Sequence, residues 1–247
     1  MNDNADQLII EQNISLIRQR IMAACRKAGR DSADVQLLLA TKTVPAERIQ
    51  LALAVGETLT GENKVQELKE KAGVLDSLPV ERHFIGHLQT NKIKEVLKYV
   101  NCIQSIDRME LAEKLDARLQ FEQKTLDIFV QVNTSFEESK FGAHPDQALS
   151  LIEQLGTLKT LRIRGLMTIG LFDADPEKVR PSFRLLREIR DAAISGGLLS
   201  SAQNGLSMGM SGDLETAIEE GSTIVRVGTA VFGKRQYPDS YYWNENK

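Results

Sequence analysis

The chain has 247 residues, a formal net charge of −3 and 42% hydrophobic residues, enough for one large α/β domain or two small ones and for a full core. A slightly acidic chain lacks the basic face that phosphate-backbone binding needs, and no stretch approaches the roughly 20 apolar residues of a membrane span, so neither nucleic acid nor membrane is expected as a partner. Cys25 and Cys102 have neither disulfide nor metal-ligand spacing, and the acidic, polar residues 1–6 have neither signal nor transit character; a cytoplasmic protein is expected, with both cysteines packed in the core.

In chain order, residues 7–29 form an amphipathic leading helix with Ile9, Ile10, Ile14, Ile17, Ile21 and Met22 on its apolar face. Strand-like and helix-like segments then alternate. The strands are expected at 35–40, 58–61, 83–86, 102–105, 127–133, 163–168, 205–208 and 224–227. The helices are expected at 45–55, 63–78, 89–99, 108–123, 145–155, 181–194 and 213–220, with a short final turn after Thr229. Pro45 and Pro145 suit first-turn positions, where the missing N–H costs nothing. Of Pro176 and Pro181, the second is expected to mark its helix start, and Phe183, Leu186, Ile189 and Ala193 then recur at helical spacing as a packing face. Eight βα units after one helix predict a single-domain (β/α)8 TIM barrel over residues 35–233, with a partly disordered tail at 234–247. The fallback, an open doubly wound sheet, lacks its G-x-G-x-x-G signature in the first βα turn.

Functional groups of such a barrel sit at the C-terminal ends of its strands. The first of these ends carries Lys42, after the apolar run 37–40 and before Pro45, where an amine kept deprotonated can form an imine with a carbonyl. The second carries Gly61-Glu62-Asn63, the third Gly86-His87, the fourth Ser105, the fifth Asn133-Thr134 and the sixth Met167-Thr168. Ser207-Met208-Gly209-Met210-Ser211-Gly212-Asp213 ends the seventh, where glycines turn backbone N–H groups into a hollow that suits an anion. The alternative there is a plain helix cap by Ser211. Arg226-Val227-Gly228-Thr229 adds a second set of donors after the eighth strand, and loops seven and eight of such barrels are a frequent phosphate site. Arg226 is flanked by apolar residues and needs a partner: either a barrel carboxylate or a ligand ring nitrogen, to which an arginine can only donate.

Ala40-Thr41-Lys42-Thr43-Val44-Pro45, Gly61-Glu62-Asn63-Lys64-Val65-Gln66-Glu67 and His83-Phe84-Ile85-Gly86-His87-Leu88-Gln89-Thr90-Asn91-Lys92 resemble the motifs of the YggS/PROSC-type pyridoxal phosphate homeostasis proteins. So do Gly165-Leu166-Met167-Thr168-Ile169, Leu206-Ser207-Met208-Gly209-Met210-Ser211 and Arg226-Val227-Gly228-Thr229-Ala230-Val231-Phe232-Gly233, in the same order over almost the whole chain. Thr41, where the family often has serine, and Val44 are small departures. The resemblance implies a fold-type III barrel like the alanine racemase N-terminal domain, with pyridoxal 5'-phosphate covalently bound to Lys42. It implies phosphate contacts from Ser207, Met210, Ser211, Gly228 and Thr229, Arg226 facing the pyridine nitrogen, and Asn63 and Met167 beside the ring. The implied role is carrying and balancing the cofactor, with apo-enzymes as possible recipients and no robust turnover.

The alternative activity is amino-acid racemisation on the same fold type, which uses a tyrosine from a second, C-terminal domain. The chain is expected to end too early for that domain, which also favours a monomer. Tyr237, Tyr241 and Tyr242 of the tail are the substitutes available. A third reading, a Schiff-base aldolase using Lys42 on its own substrate, predicts a colourless protein. Lys140, after the fifth strand, reads either as a transient second docking point during cofactor loading or hand-off, or as a solvated loop lysine or phosphate-attracting charge. His83 is expected inside the barrel, His87 at the mouth and His144 in an exposed loop, with no metal-ligand spacing among them.

Overall fold

Eight parallel strands, β1 (Gln36–Ala40), β2 (Leu59–Glu62), β3 (Glu81–Phe84), β4 (Cys102–Ile106), β5 (Leu126–Gln131), β6 (Leu161–Met167), β7 (Gly205–Ser207) and β8 (Ile224–Val227), follow one another around a closed barrel in the computed structural model, which describes residues 3–233. The ring closes where Leu38 of β1 lies opposite Arg226 of β8. The helices are α1 (Asp3–Lys27), α2 (Ala46–Ala54), α3 (Val65–Leu75), α4 (Ile93–Val96), α5 (Met109–Glu122), α6 (Pro145–Leu155), α7 (Pro176–Ser195), α8 (Leu214–Glu219) and α9 (Thr229–Phe232). The expectations for residues 234–247, including Tyr237, Tyr241 and Tyr242, lie outside the described residues.

The barrel has two apolar shells. Outward strand residues Leu37, Leu39, Val225 and Val227 meet Ile14, Ile17 and Ile21 of α1 and Ile49 of α2 in one buried cluster. Across the barrel, Ile128, Val130 and Leu166 pack against Leu115, Ile152, Phe183 and Leu186 of α5, α6 and α7. Each such side chain contributes roughly 1.5–3 kcal/mol when fully buried. Inside, Leu38, Leu59, Cys102, Phe129, Met167 and Ile224 form a smaller cluster.

Several boundaries differ from the sequence reading. Helix α1 starts four residues earlier and stops at Lys27, because Gly29 (φ +66°) takes the left-handed turn that lets Arg30 N–H close back on Cys25 O at 2.9 Å. Ile10 is buried, while Ile9 and Met22 stand exposed, so the buried stripe is narrower than expected. Helix α7 begins at Pro176, where Asp175 accepts the Glu177 N–H at 3.0 Å as N-cap, and Pro181 is an interior residue. An aspartate before a first-turn proline outweighs one lost backbone bond a turn later. Strand β3 ends at Phe84, and the expected helix 89–99 is a 3₁₀ turn, Thr90–Lys92, running into the single turn of α4. No helix among the described residues is long and apolar enough to cross a membrane.

Candidate functional site

The strand ends converge on one mouth, and Lys42 stands on its β1–β2 flank. Thr41 N–H reaches Gly61 O at 3.0 Å, which carries the β1–β2 pairing one residue beyond Ala40. Lys42 follows, half-buried. Thr43 then has φ +65°, a left-handed conformation rare for a β-branched residue, and Pro45 caps the entry to α2. Beneath this turn lies a buried charge cluster. The Lys71 ammonium donates to Thr41 O at 2.8 Å, to Glu62 Oε1 at 2.6 Å and to Glu67 Oε2 at 2.8 Å. Thr41 Oγ1 also donates to Glu62 Oε1 at 2.6 Å, and Thr43 N–H donates to Glu67 Oε2 at 2.6 Å. Burial pushes the Glu62 carboxyl from its ordinary 4.5 up to about 7, against the opposing pull of Lys71.

Orphaned polar atoms collect beside this turn. Glu62 Oε2, Asn63 Oδ1, His87 Nδ1 and Ser105 Oγ are buried with no hydrogen-bond partner among the described residues, and they come from the ends of β2, β3 and β4. His87 stacks on Phe141 with ring centroids 3.8 Å apart. Met167, buried, packs at the top of the inner cluster with Leu38 and Ile169. Lys140 is neither a solvated amine nor a free one: it pairs with Glu137 and donates to Gly170 O at 2.7 Å, cross-linking the loops after β5 and β6.

Arg226 defines the opposite flank. It is buried on β8 and donates to Ser207 Oγ at 2.9 Å and Thr168 O at 2.8 Å. Among the described residues it makes no salt bridge, so the carboxylate partner considered from sequence is not what holds it. Burial pulls its pKa down to about 10, with Asp213 opposing, and it stays protonated at neutral pH. Ser207 has a use the sequence reading did not foresee. Fully buried, it passes a hydrogen bond on to Gln104 Oε1 at 2.6 Å, and Gln104 Nε2 meets His83 Nδ1 at 2.6 Å. His83 is thus inside the barrel as expected, paired at Nε2 with Glu81 at 2.8 Å.

The loops after β7 and β8 meet above Arg226. Thr229 Oγ1 lies 3.3 Å from Ser211 Oγ. Gly228 sits so close to β1 that a Cβ there would stand 2.8 Å from Ala40 O. The N-cap of α8 is Asp213 rather than Ser211, and its carboxylate accepts the Met210 N–H, which leaves the Ser211 hydroxyl on the Thr229 side. His144 caps α6, its Nδ1 accepting from Asp146 N–H at 3.3 Å, and is exposed as expected. No group of three or more His, Cys, Asp or Glu among the described residues could hold a metal ion.

Sequence reasoning brought Lys42, Asn63, Met167, Ser207, Met210, Ser211, Arg226, Gly228 and Thr229 forward, and all nine lie on or just below one barrel mouth. It passed over Lys71, Glu67 and Gln104. Lys71 carried a readable signal, since it shares a stripe with Leu68, Ala72 and Leu75 at helical spacing, where a lysine does not belong unless paired.

The chain is similar to four sets of known proteins and structures. The family of the alanine racemase N-terminal domain matches residues 10–236. A pyridoxal phosphate homeostasis protein of Aquifex aeolicus is 43% identical, over 92% of this chain and 98% of the relative. Among solved structures, an unknown protein from Bifidobacterium adolescentis is similar at TM-score 0.89 and 39% identity, over 94% of this chain and 98% of that one. PipY of Synechococcus elongatus, determined with PLP bound, is similar at TM-score 0.76 and 30% identity, over 91% of this chain and all of that one.

Proposed function

We propose, because this chain belongs to the pyridoxal phosphate homeostasis proteins within the alanine racemase N-terminal-domain family, that it carries pyridoxal 5'-phosphate as an imine on Lys42 and balances the intracellular supply of the cofactor. When bound, the cofactor supplies an electrophilic aldehyde and a pyridine ring. The residues at the mouth fit it. Lys42 is the amine for the aldehyde. The backbone around Met210 and Gly228, with the Ser211 and Thr229 hydroxyls, suits the anionic end. Asn63, whose Oδ1 has no hydrogen-bond partner among the described residues, and Met167 suit a place beside the ring. Ser207 acts through Arg226 rather than on the cofactor.

The observation that carries this reading is Arg226, a buried guanidinium on neutral partners at the mouth. A guanidinium keeps its proton and can only donate a hydrogen bond, so a ring nitrogen facing it stays unprotonated and the ring stays a weak electron sink. A helix-terminus or backbone contact contributes about 0.3–2 kcal/mol to an anion, and a hydrogen bond to a charged group roughly 1.5–3 kcal/mol, so the covalent bond dominates retention.

The test is the absorption spectrum of purified protein, with borohydride reduction and peptide mapping. A visible band lost on reduction, with the label on Lys42 and absent from Lys42→Ala, supports the reading. A colourless protein that takes no label after incubation with the cofactor sinks it and favours the aldolase. The match to the racemase family supports a second reading, amino-acid racemisation. Sustained loss of optical rotation from L-alanine would establish it. A cytoplasmic monomer that passes its cofactor to apo-enzymes completes the proposal.

A further inference from the structure

We infer that Lys71 and Glu67 of α3 are positioning residues for the Lys42 amine, setting how fast it reacts with the cofactor aldehyde; this rests on Lys42 being the residue that takes the cofactor. Residues 41–43 leave β1 after the Thr41 N–H bond to Gly61 O, and one backbone bond, Val44 N–H to Thr41 O at 2.9 Å, closes the turn they form. Left to solvent, such a segment samples several conformations, and ordering its backbone costs conformational entropy. Here both neighbours of Lys42 are pinned from the same helix. Lys71 Nζ holds the Thr41 carbonyl at 2.8 Å, and Glu67 Oε2 holds the Thr43 N–H at 2.6 Å. Lys71 also bonds Glu67 at 2.8 Å, so the two clamps share one ion pair four residues apart on α3.

The third arm reaches β2. Glu62 Oε1 accepts from Lys71 and from the Thr41 hydroxyl, both at 2.6 Å. All three donors of the Lys71 ammonium are therefore spent on groups that contact the Lys42 turn or its neighbour. A solvated lysine on α3 would need none of this. The Lys71 side chain is 9% exposed, and Glu62 and Glu67 are 5% and 16% exposed. Holding Thr43 at φ +65° aims the preceding residue in one direction; an amine already aimed reacts without first paying to order its backbone.

Two readouts test this. In cofactor-free protein, trace acetylation by acetic anhydride followed by peptide mass spectrometry reports the reactivity of Lys42 against exposed Lys114. In parallel, pyridoxal 5'-phosphate is added and quenched with borohydride at successive times to give the rate of label entry at Lys42. Glu67→Ala and Lys71→Met are each expected to slow label entry by about tenfold to a hundredfold, and to change the Lys42 to Lys114 acetylation ratio. Glu67→Gln, which still offers an oxygen to the Thr43 N–H, retains most of the wild-type rate. Glu67→Ala that unfolds as cooperatively as wild type yet acetylates and traps at the wild-type rate overturns the inference. Should Lys71→Met not fold, Glu67→Ala carries the test, since it removes only one partly exposed carboxylate. Failure of wild type to trap at Lys42 sinks the cofactor reading alone; the acetylation ratio still decides whether Lys71 and Glu67 position that amine.

Discussion

On the β1–β2 flank of the mouth, a buried ammonium and two carboxylates hold the backbone at Thr41 and Thr43. On the β7–β8 flank, a guanidinium on neutral partners, two hydroxyls and a glycine pressed against Ala40 do the holding. The two designs fail in opposite ways. A charge cluster is broken by deleting a partner, because the groups left behind keep their desolvation cost. A close-packed neutral cradle is broken by adding atoms, because nothing nearby can move aside.

The largest effect is expected from Lys71→Met. It leaves Glu62 and Glu67 facing one another without their shared ammonium, and breaking such a buried pair costs about 3–5 kcal/mol. Urea denaturation of the cofactor-free protein measures it. A loss no larger than that of an exposed pair, below about 1 kcal/mol, would place the two flanks on the same footing. Next comes Gly228→Ala on the neutral flank. Its methyl would stand 2.8 Å from a backbone oxygen of β1, and overpacking of this kind costs about 1–3 kcal/mol. Gly212, on the same loops, has nothing within 4 Å of an added Cβ; Gly212→Ala is expected to be neutral or to stabilise by up to about 1 kcal/mol. Urea midpoints of the pair show whether contact, rather than loss of a glycine as such, sets the outcome.

The neutral flank was the more legible of the two from sequence. Arg226, Gly228 and Ser211 each stand near a strand end, and one strand pattern locates them all. The lysine flank depends on partners four to thirty positions away. Lys42 was found because it follows its own strand, but Lys71 reaches it from the next helix, and nothing local to residues 41–43 announces that. The apolar stripe containing Lys71 was the available clue. The left-handed Thr43 was not readable, because threonine gives no sign of it; Gly29 gave such a sign for the end of α1. The eight-strand alternation was legible because β1, β5 and β8 are dense in β-branched and leucine residues. The end of β3 was not, since Ile85 and Gly86 continue its apolar pattern past Phe84, and Ile85 N–H still reaches Glu62 O of β2 at 2.8 Å.

A third, smaller effect separates the flanks by pH. The Glu62 carboxyl is raised from 4.5 to about 7, chiefly by burial. Between those values the folded chain keeps a proton that the unfolded chain has released. Glu62 therefore contributes most favourably below 4.5, and its contribution is lost as pH rises through about 7. Facing it are Lys71 and Glu67 of α3 and the Thr41 hydroxyl. Stability is expected to fall as pH rises across this window, and Glu62→Gln, which never ionises, removes the decline. Urea midpoints of both proteins at about pH 5 and pH 8 measure the difference. An equal decline in both would assign it elsewhere.

The smallest effect concerns strain. Thr43 has φ +65°, while the corresponding left-handed residue on the other flank, at φ +93°, is Gly209. A left-handed conformation costs a non-glycine residue roughly 1–2 kcal/mol, and asparagine bears it better than threonine. The Thr43 side chain is exposed, and its bond to Glu67 runs through backbone N–H, so Thr43→Asn loses no contact. It is expected to stabilise the protein by about 0.5–1 kcal/mol without altering label entry at Lys42. The comparison sharpens in a double-mutant cycle. If Glu67 is what keeps Thr43 left-handed, then Glu67→Ala releases the turn, and Thr43→Asn gains nothing in that background. A gain of the same size with and without Glu67 would mean that the turn is set by β1 and Pro45 alone, and that the charge cluster merely covers it.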